Sequence, residues 1–128
     1  MNPLSFLALA LGAVGGAGFR HALGVWLNPV YPRIPLGTLT ANLLGSFLMG
    51  LAIVALVQRG GLSPEWRLAI ITGFFGSLTT LSTFSAETFT LFVRGDVLGG
   101  LGAIAFHVGG ALAMVGLGVV IANKLMGA

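Results

Sequence analysis

The stretch Leu68-Ala69-Ile70-Ile71-Thr72-Gly73-Phe74-Phe75-Gly76-Ser77-Leu78-Thr79-Thr80-Leu81-Ser82-Thr83-Phe84-Ser85-Ala86 decides the fold class. Its 19 residues hold no charge between Arg67 and Glu87, and a bilayer-spanning helix needs about 20 residues of this kind. Its second half is not plainly apolar, because five of the seven residues from Thr79 to Ser85 bear hydroxyls. A segment that is suited to lipid and yet rich in hydrogen-bonding groups implies a membrane helix with a polar task.

Working outward, the other charges punctuate the chain in the same way. Arg20, Arg33, Arg59, Glu65, Arg67, Glu87, Arg94, Asp96 and Lys124 leave further uncharged runs at 1–19, 34–58 and 97–123. Four transmembrane helices are predicted, over approximately Pro3 to Leu27, Leu36 to Gln58, Pro64 to Val93 and Val97 to Leu125, as one four-helix domain spanning residues 1–128. Only 7% of residues are charged and 56% are hydrophobic, whereas a soluble domain carries roughly 25% charge to face water. An ordinary soluble fold is excluded. With no cysteine, disulfides, thiolate metal sites and cysteine nucleophiles are excluded too. The pI of 10.8 reflects a net charge of only +3, too little for a nucleic-acid surface. No nucleophile–base pair or phosphate loop stands out, so no enzymatic chemistry is expected.

The connections carry helix breakers: Asn28-Pro29, Tyr31-Pro32-Arg33-Ile34-Pro35, Gly60-Gly61-Leu62-Ser63-Pro64 and Arg94-Gly95-Asp96. Ser63-Pro64-Glu65 is a helix start, with a capping serine, proline in the first turn and an acid at the positive dipole end. A signal-peptide reading of the first run is disfavoured, since no Lys or Arg precedes the apolar stretch. Basic residues divide evenly between the two membrane sides, Arg59, Arg67 and Lys124 against Arg20, Arg33 and Arg94. Two readings fit this balance: an accident of small numbers, or a chain inserting both ways and pairing as an antiparallel, dual-topology homodimer.

Lipid gives helices no hydrophobic reason to associate, so small residues and interhelical hydrogen bonds must do it. Gly12 and Gly16, then Gly37, Ala41 and Gly45, then Ala105, Gly109 and Ala113 recur every four residues as packing strips. Thr38, Asn42 and Ser46 line one face of the second helix, and Thr79, Thr83 and Glu87 one side of the third. A single hydroxyl can bond back to its own helix. A cluster of five suggests a wet path, and Glu87 either faces a cavity or reaches interfacial water. Gly73 and Gly76 weaken the helix near mid-span, predicting a break there whose freed carbonyls would suit a hard cation such as sodium. The remaining donors, namely Asn42, the hydroxyls and His107, are neutral, and the Phe84 ring edge is electropositive. Neutral donors without acidic rings favour an anion. For His107 a packing role competes with direct ion contact.

Gly15-Gly16 through Arg20, Gly37-Thr38-Leu39 with Asn42 and Gly45, and Gly73-Phe74-Phe75-Gly76-Ser77-Leu78-Thr79-Thr80-Leu81-Ser82-Thr83-Phe84-Ser85-Ala86-Glu87 closely resemble the Fluc (CrcB-type) fluoride channels. The resemblance covers all four helices. It implies a multi-pass protein of the bacterial inner (cytoplasmic) membrane, an antiparallel homodimer that exports fluoride passively and holds a structural sodium ion at its centre. By position it implies backbone carbonyls of Gly76 and Thr79 on the sodium, Asn42 and Phe84 on the fluoride path, and Thr38, Thr80, Ser82, Thr83 and Ser85 near it. It further implies Glu87 toward a vestibule and Arg20 at a pore mouth. Leu81 departs from the family pattern, which has a second pore phenylalanine there, while Ser77 stands where glycine is common and His107 and Ala111 where some members have serine. The alternative function is a small proton-coupled multidrug-type exporter using Glu87. Such exporters carry their essential glutamate in the first helix, and this first helix has none.

Overall fold

A computed structural model describes residues 1–127. All the regular structure among them is helical, and four helices are long and apolar enough to cross a membrane: Pro3–Val30, Leu36–Gln58, Pro64–Val93 and Val97–Leu125. The molecule is a multi-pass membrane protein. Its helices are α1 (Pro3–Leu27), α2 (Leu36–Gln58), α3 (residues 64–78), α4 (Leu81–Val93) and α5 (Val97–Leu125), with α3 and α4 sharing the third span. Asn2 caps α1, its Oδ1 accepting from the Ser5 N–H at 2.7 Å, and Ser63 caps α3 through the Trp66 N–H.

The backbone between α3 and α4 is extended at Thr79 (φ −82°, ψ 154°) and Thr80 (φ −151°, ψ 114°). The glycines expected to interrupt the helix do not: Gly73 lies in a widened helical turn, and Gly76 is helical at φ −63°, ψ −30°. Gly73 is there for contact instead, since a Cβ would run into the Leu9 carbonyl of α1.

Close backbone approach organises the bundle. α1 lies along α3, with Gly12 against the Ala69 carbonyl and Gly16 against that of Phe74; α2 lies along α5, with Gly50 and Gly118 facing each other. A side chain at any of these positions would push the helices apart. The strip expected on the fourth helix is displaced. Ala105, Gly109 and Ala113 are exposed, and nothing approaches Gly109, whereas Gly118 and Ala122 are buried. Widened turns at 53–58, 68–75 and 105–109 shift the facing register, which a strict four-residue repeat cannot anticipate. Leu23, Ala41 and Leu78 form the small core with Phe74 and Leu48 packed around them. Large apolar side chains such as Leu4, Leu11, Phe89 and Leu98 are exposed, as a lipid-facing surface requires.

At one end of the bundle Arg33 reaches Asp96 through two 2.7 Å hydrogen bonds, joining the first and third connections. The Arg33 guanidinium, with help from the Gly99 N–H, holds the Asp96 carboxyl down at about 2, and the carboxylate in turn raises the arginine pKa.

Candidate functional site

The two extended threonines expose peptide groups that a helix would have consumed. Asn42, on the buried face of α2, takes up the Thr80 peptide completely: its Oδ1 accepts from the Thr80 N–H at 2.7 Å and its Nδ2 donates to the Thr80 carbonyl at 3.1 Å. Both polar groups are thereby satisfied at a depth where an unpaired one costs several kcal/mol. The same Nδ2 lies 3.0 Å from Nδ1 of His107, which the widened turn at 105–109 of α5 turns inward. His107 is 5% exposed, while its neighbours Phe106 and Val108 are 60% and 48% exposed. Phe84 of α4 stacks on the imidazole, ring centres 4.5 Å apart. Three candidates from three helices thus meet at one place.

Two cavities flank this meeting point. The first, about 430 Å³, is lined by Asn42, Ser46, Thr79, Leu81, Phe84 and His107, with apolar side chains of α2 and α5 around them. The second, about 450 Å³, is lined by Arg20, His21, Thr38, Thr80, Thr83 and Glu87. Thr80 borders both. The Asn42–Thr80 clip thus lies where the two cavities meet, and the Thr38, Asn42, Ser46 face of α2 runs from one cavity to the other.

In the second cavity Thr38 donates its hydroxyl to Glu87 Oε1 at 2.7 Å. Arg20 donates from Nε to the Ser77 carbonyl at 3.0 Å. That carbonyl belongs to the last turn of α3, where the helix dipole is negative, so a guanidinium there is well placed. Among the described residues the one ion pair is Arg33–Asp96, so Arg20 and Glu87 share a cavity without forming a bridge. Thr80 Oγ1 caps α4, accepting from the Thr83 N–H at 3.2 Å and donating to Thr83 Oγ1 at 3.0 Å.

The hydroxyl cluster does not form one continuous line. Because the helix restarts at Leu81, Thr79 faces the first cavity with its methyl against Gly45, while Thr83 and Glu87 face the second. Ser82 is exposed and only 3.4 Å from Thr80 Oγ1. Ser85 bonds back to the Leu81 carbonyl at 2.7 Å and borders a separate groove with Thr88 and Phe89. Leu81 is 75% exposed at the rim of the first cavity. Two polar residues escaped sequence reasoning. Thr88 Oγ1 is buried without a partner among the described residues, and Asn28 Oδ1 accepts from the Gly37 N–H at 2.7 Å, fastening the start of α2. Asn28-Pro29 reads as a turn, which hides the second use of its side chain.

No group of three or more His, Cys, Asp or Glu side chains arranged to hold a metal occurs among the described residues. Backbone oxygen offers an alternative. The Thr80 N–H, which would have bonded the Gly76 carbonyl in a continuous helix, goes to Asn42 instead, leaving that carbonyl released. Gly76 is exposed, and a Cβ there would meet only the Ile71 carbonyl oxygen, at 3.8 Å.

The CrcB-like protein, camphor resistance (CrcB) family model matches residues 7–119. A fluoride-specific ion channel FluC of Pseudomonas paraeruginosa is 54% identical over 96% of this chain and 97% of its own length. The FluC of Chromohalobacter salexigens is 53% identical over 91% of this chain and 88% of its own, and that of Burkholderia mallei 47% identical over 90% of each. With its four apolar helices and the Asn42–Thr80 clip, the chain belongs to the CrcB-like family.

Proposed function

We propose that the chain forms a passive, fluoride-selective channel that lowers cellular fluoride across the bacterial cytoplasmic membrane. The observation that carries this reading is the pair of cavities that meet at Thr80, held by Asn42, in a chain about half identical to proteins named for fluoride conduction. Arg20 draws anions into the second cavity by its charge. Thr83, whose hydroxyl accepts from Thr80 and keeps its own hydrogen, offers a donor in place of water. An anion passing the clip meets the Asn42 amide, held in place by His107, and the edge of Phe84. Glu87 accepts from Thr38 in the second cavity and lets it stay wet.

The working unit in this proposal is an antiparallel homodimer. Support comes from the even division of basic residues and from the first cavity, where Asn42 and His107 lie beside an exposed apolar rim that includes Leu81 and Leu112. A second copy would close it. The broken third span then has a purpose: carbonyls of Gly76 and Thr79 from both copies hold a sodium ion, a hard cation suited to backbone oxygen. The ion's contribution is cohesion between the protomers.

Fluoride efflux from protein-loaded vesicles tests the reading. Rapid efflux of fluoride but not chloride, without any imposed proton gradient, is expected. Efflux that requires a proton gradient and vanishes in Glu87→Gln would establish the exporter in its place.

A further inference from the structure

Thr80 presents both halves of its peptide to one side chain, and their polarity orients that side chain. A backbone N–H only donates, so the Asn42 atom 2.7 Å from it is the amide oxygen. The NH₂ group is left to face the Thr80 carbonyl and His107 Nδ1, at 3.1 and 3.0 Å. An amide nitrogen donates two hydrogens and accepts none. Nδ1 of His107 is consequently the acceptor, and the neutral ring carries its hydrogen on Nε2. We propose that His107 is a positioning residue of the ion path, whose neutral imidazole locks the Asn42 amide onto Thr80, so that protonation of His107 shuts the path. This inference rests on the channel function proposed for the chain.

Protonation would place an Nδ1–H against the Asn42 NH₂, donor facing donor. Turning the amide over does not resolve the conflict, because the NH₂ group would then meet the Thr80 N–H. Stacking on Phe84 at 4.5 Å confines the ring, so it cannot turn aside without losing that contact. The clip must therefore open, and with it the arrangement of donors between the two cavities.

Few other groups compete for control by pH. α2 has no titratable side chain, α4 has only Glu87, and α5 has only Lys124 besides His107. From α1, Arg20 and His21 face the second cavity, with Glu87, on the other side of Thr80. Glu65 and Arg67 stand at the start of α3, more than two helical turns from the break.

The test is fluoride efflux from vesicles between about pH 7.5 and about pH 5, with protein-free vesicles subtracting undissociated acid that crosses the lipid unaided. Native protein is expected to lose flux about tenfold per pH unit below the imidazole midpoint. In His107→Asn the side-chain oxygen stands where Nδ1 stood. Measured against its own flux at neutral pH, it should lose the added acid inhibition, whereas His107→Leu should be impaired at every pH. Identical pH profiles for native and His107→Asn would overturn the proposal. A second readout does not need conduction: the ¹⁵N spectrum of His107 at neutral pH should show hydrogen on Nε2, and hydrogen on Nδ1 would sink it. Silence toward fluoride at all pH values would instead overturn the channel reading, and with it the gating; the nitrogen spectrum then still decides the hydrogen-bond assignment.

Discussion

The two cavities on either side of Thr80 are of similar size and of opposite character. The one bordered by Arg20, Thr38, Thr83 and Glu87 is built from polar side chains drawn from α1, α2 and α4. The one bordered by Leu81, Val108, Leu112 and Val115 is mostly apolar, with Asn42, Ser46, Thr79, Thr80 and His107 as its polar members. Volume alone therefore says little about an ion's fate. In the proposed channel the polar cavity would replace an anion's hydration, and the apolar one would be covered by a second copy. What they share is Thr80, whose peptide is bonded on both sides to the Asn42 amide.

The largest effect is expected from destroying that clip. In Asn42→Asp a carboxylate would still accept from the Thr80 N–H. It would leave the Thr80 carbonyl unpaired and place a negative charge on the anion path. Losses of about 3 kcal/mol correspond to roughly a hundredfold in flux, and unchanged efflux would remove Asn42 from the path. Next comes the polar side. Arg20→Gln removes the attracting charge and weakens the bond to Ser77, so flux should fall by about tenfold at low salt. The deficit should shrink in high salt, where the native attraction is screened as well. A deficit independent of salt would mean that Arg20 serves only to cap α3.

On the apolar side, Leu81→Phe restores an aromatic edge at an exposed rim position. Flux is expected to stay level or rise severalfold, about 1 kcal/mol at most for one ring contact. A drop would show a path rebuilt around leucine. The smallest effect concerns neither cavity. The Asp96 carboxyl is held at about 2 against its ordinary 3.8. Its stabilising contribution is therefore fully present above pH 3.8 and fades as pH falls toward 2. Because the pair is exposed, the change in melting temperature should be slight, and Asp96→Asn should remove that acid-range slope without touching fluoride efflux at neutral pH.

The four spans were legible because hydropathy and charge are local sums, and nine charges in 128 residues leave few ways to divide the chain. The site was legible in its membership more than in its wiring. Asn42, Phe84 and His107 were all candidates, and all three meet. Reading Thr79, Thr83 and Glu87 as one stripe failed because it assumed a continuous helix. The expected break at Gly73 and Gly76 failed for a related reason. Glycine weakens a helix by only about 1 kcal/mol, less than the cost of unpaired peptide groups in lipid. The backbone opens where a partner exists to receive it, and that partner, Asn42, lies 38 positions away in the chain.

The sequence by itself determined that this protein lives in the membrane, as four helices with a hydroxyl-rich third span, because lipid admits no other use of so apolar a chain. Its close match to the CrcB-like family follows from the same residues. Only the tertiary structure decided where the third span opens, which side chain holds it open, and that one cavity became two. Those outcomes depend on which distant donor and acceptor come within about 3 Å of each other, and no run of neighbouring residues records such a distance.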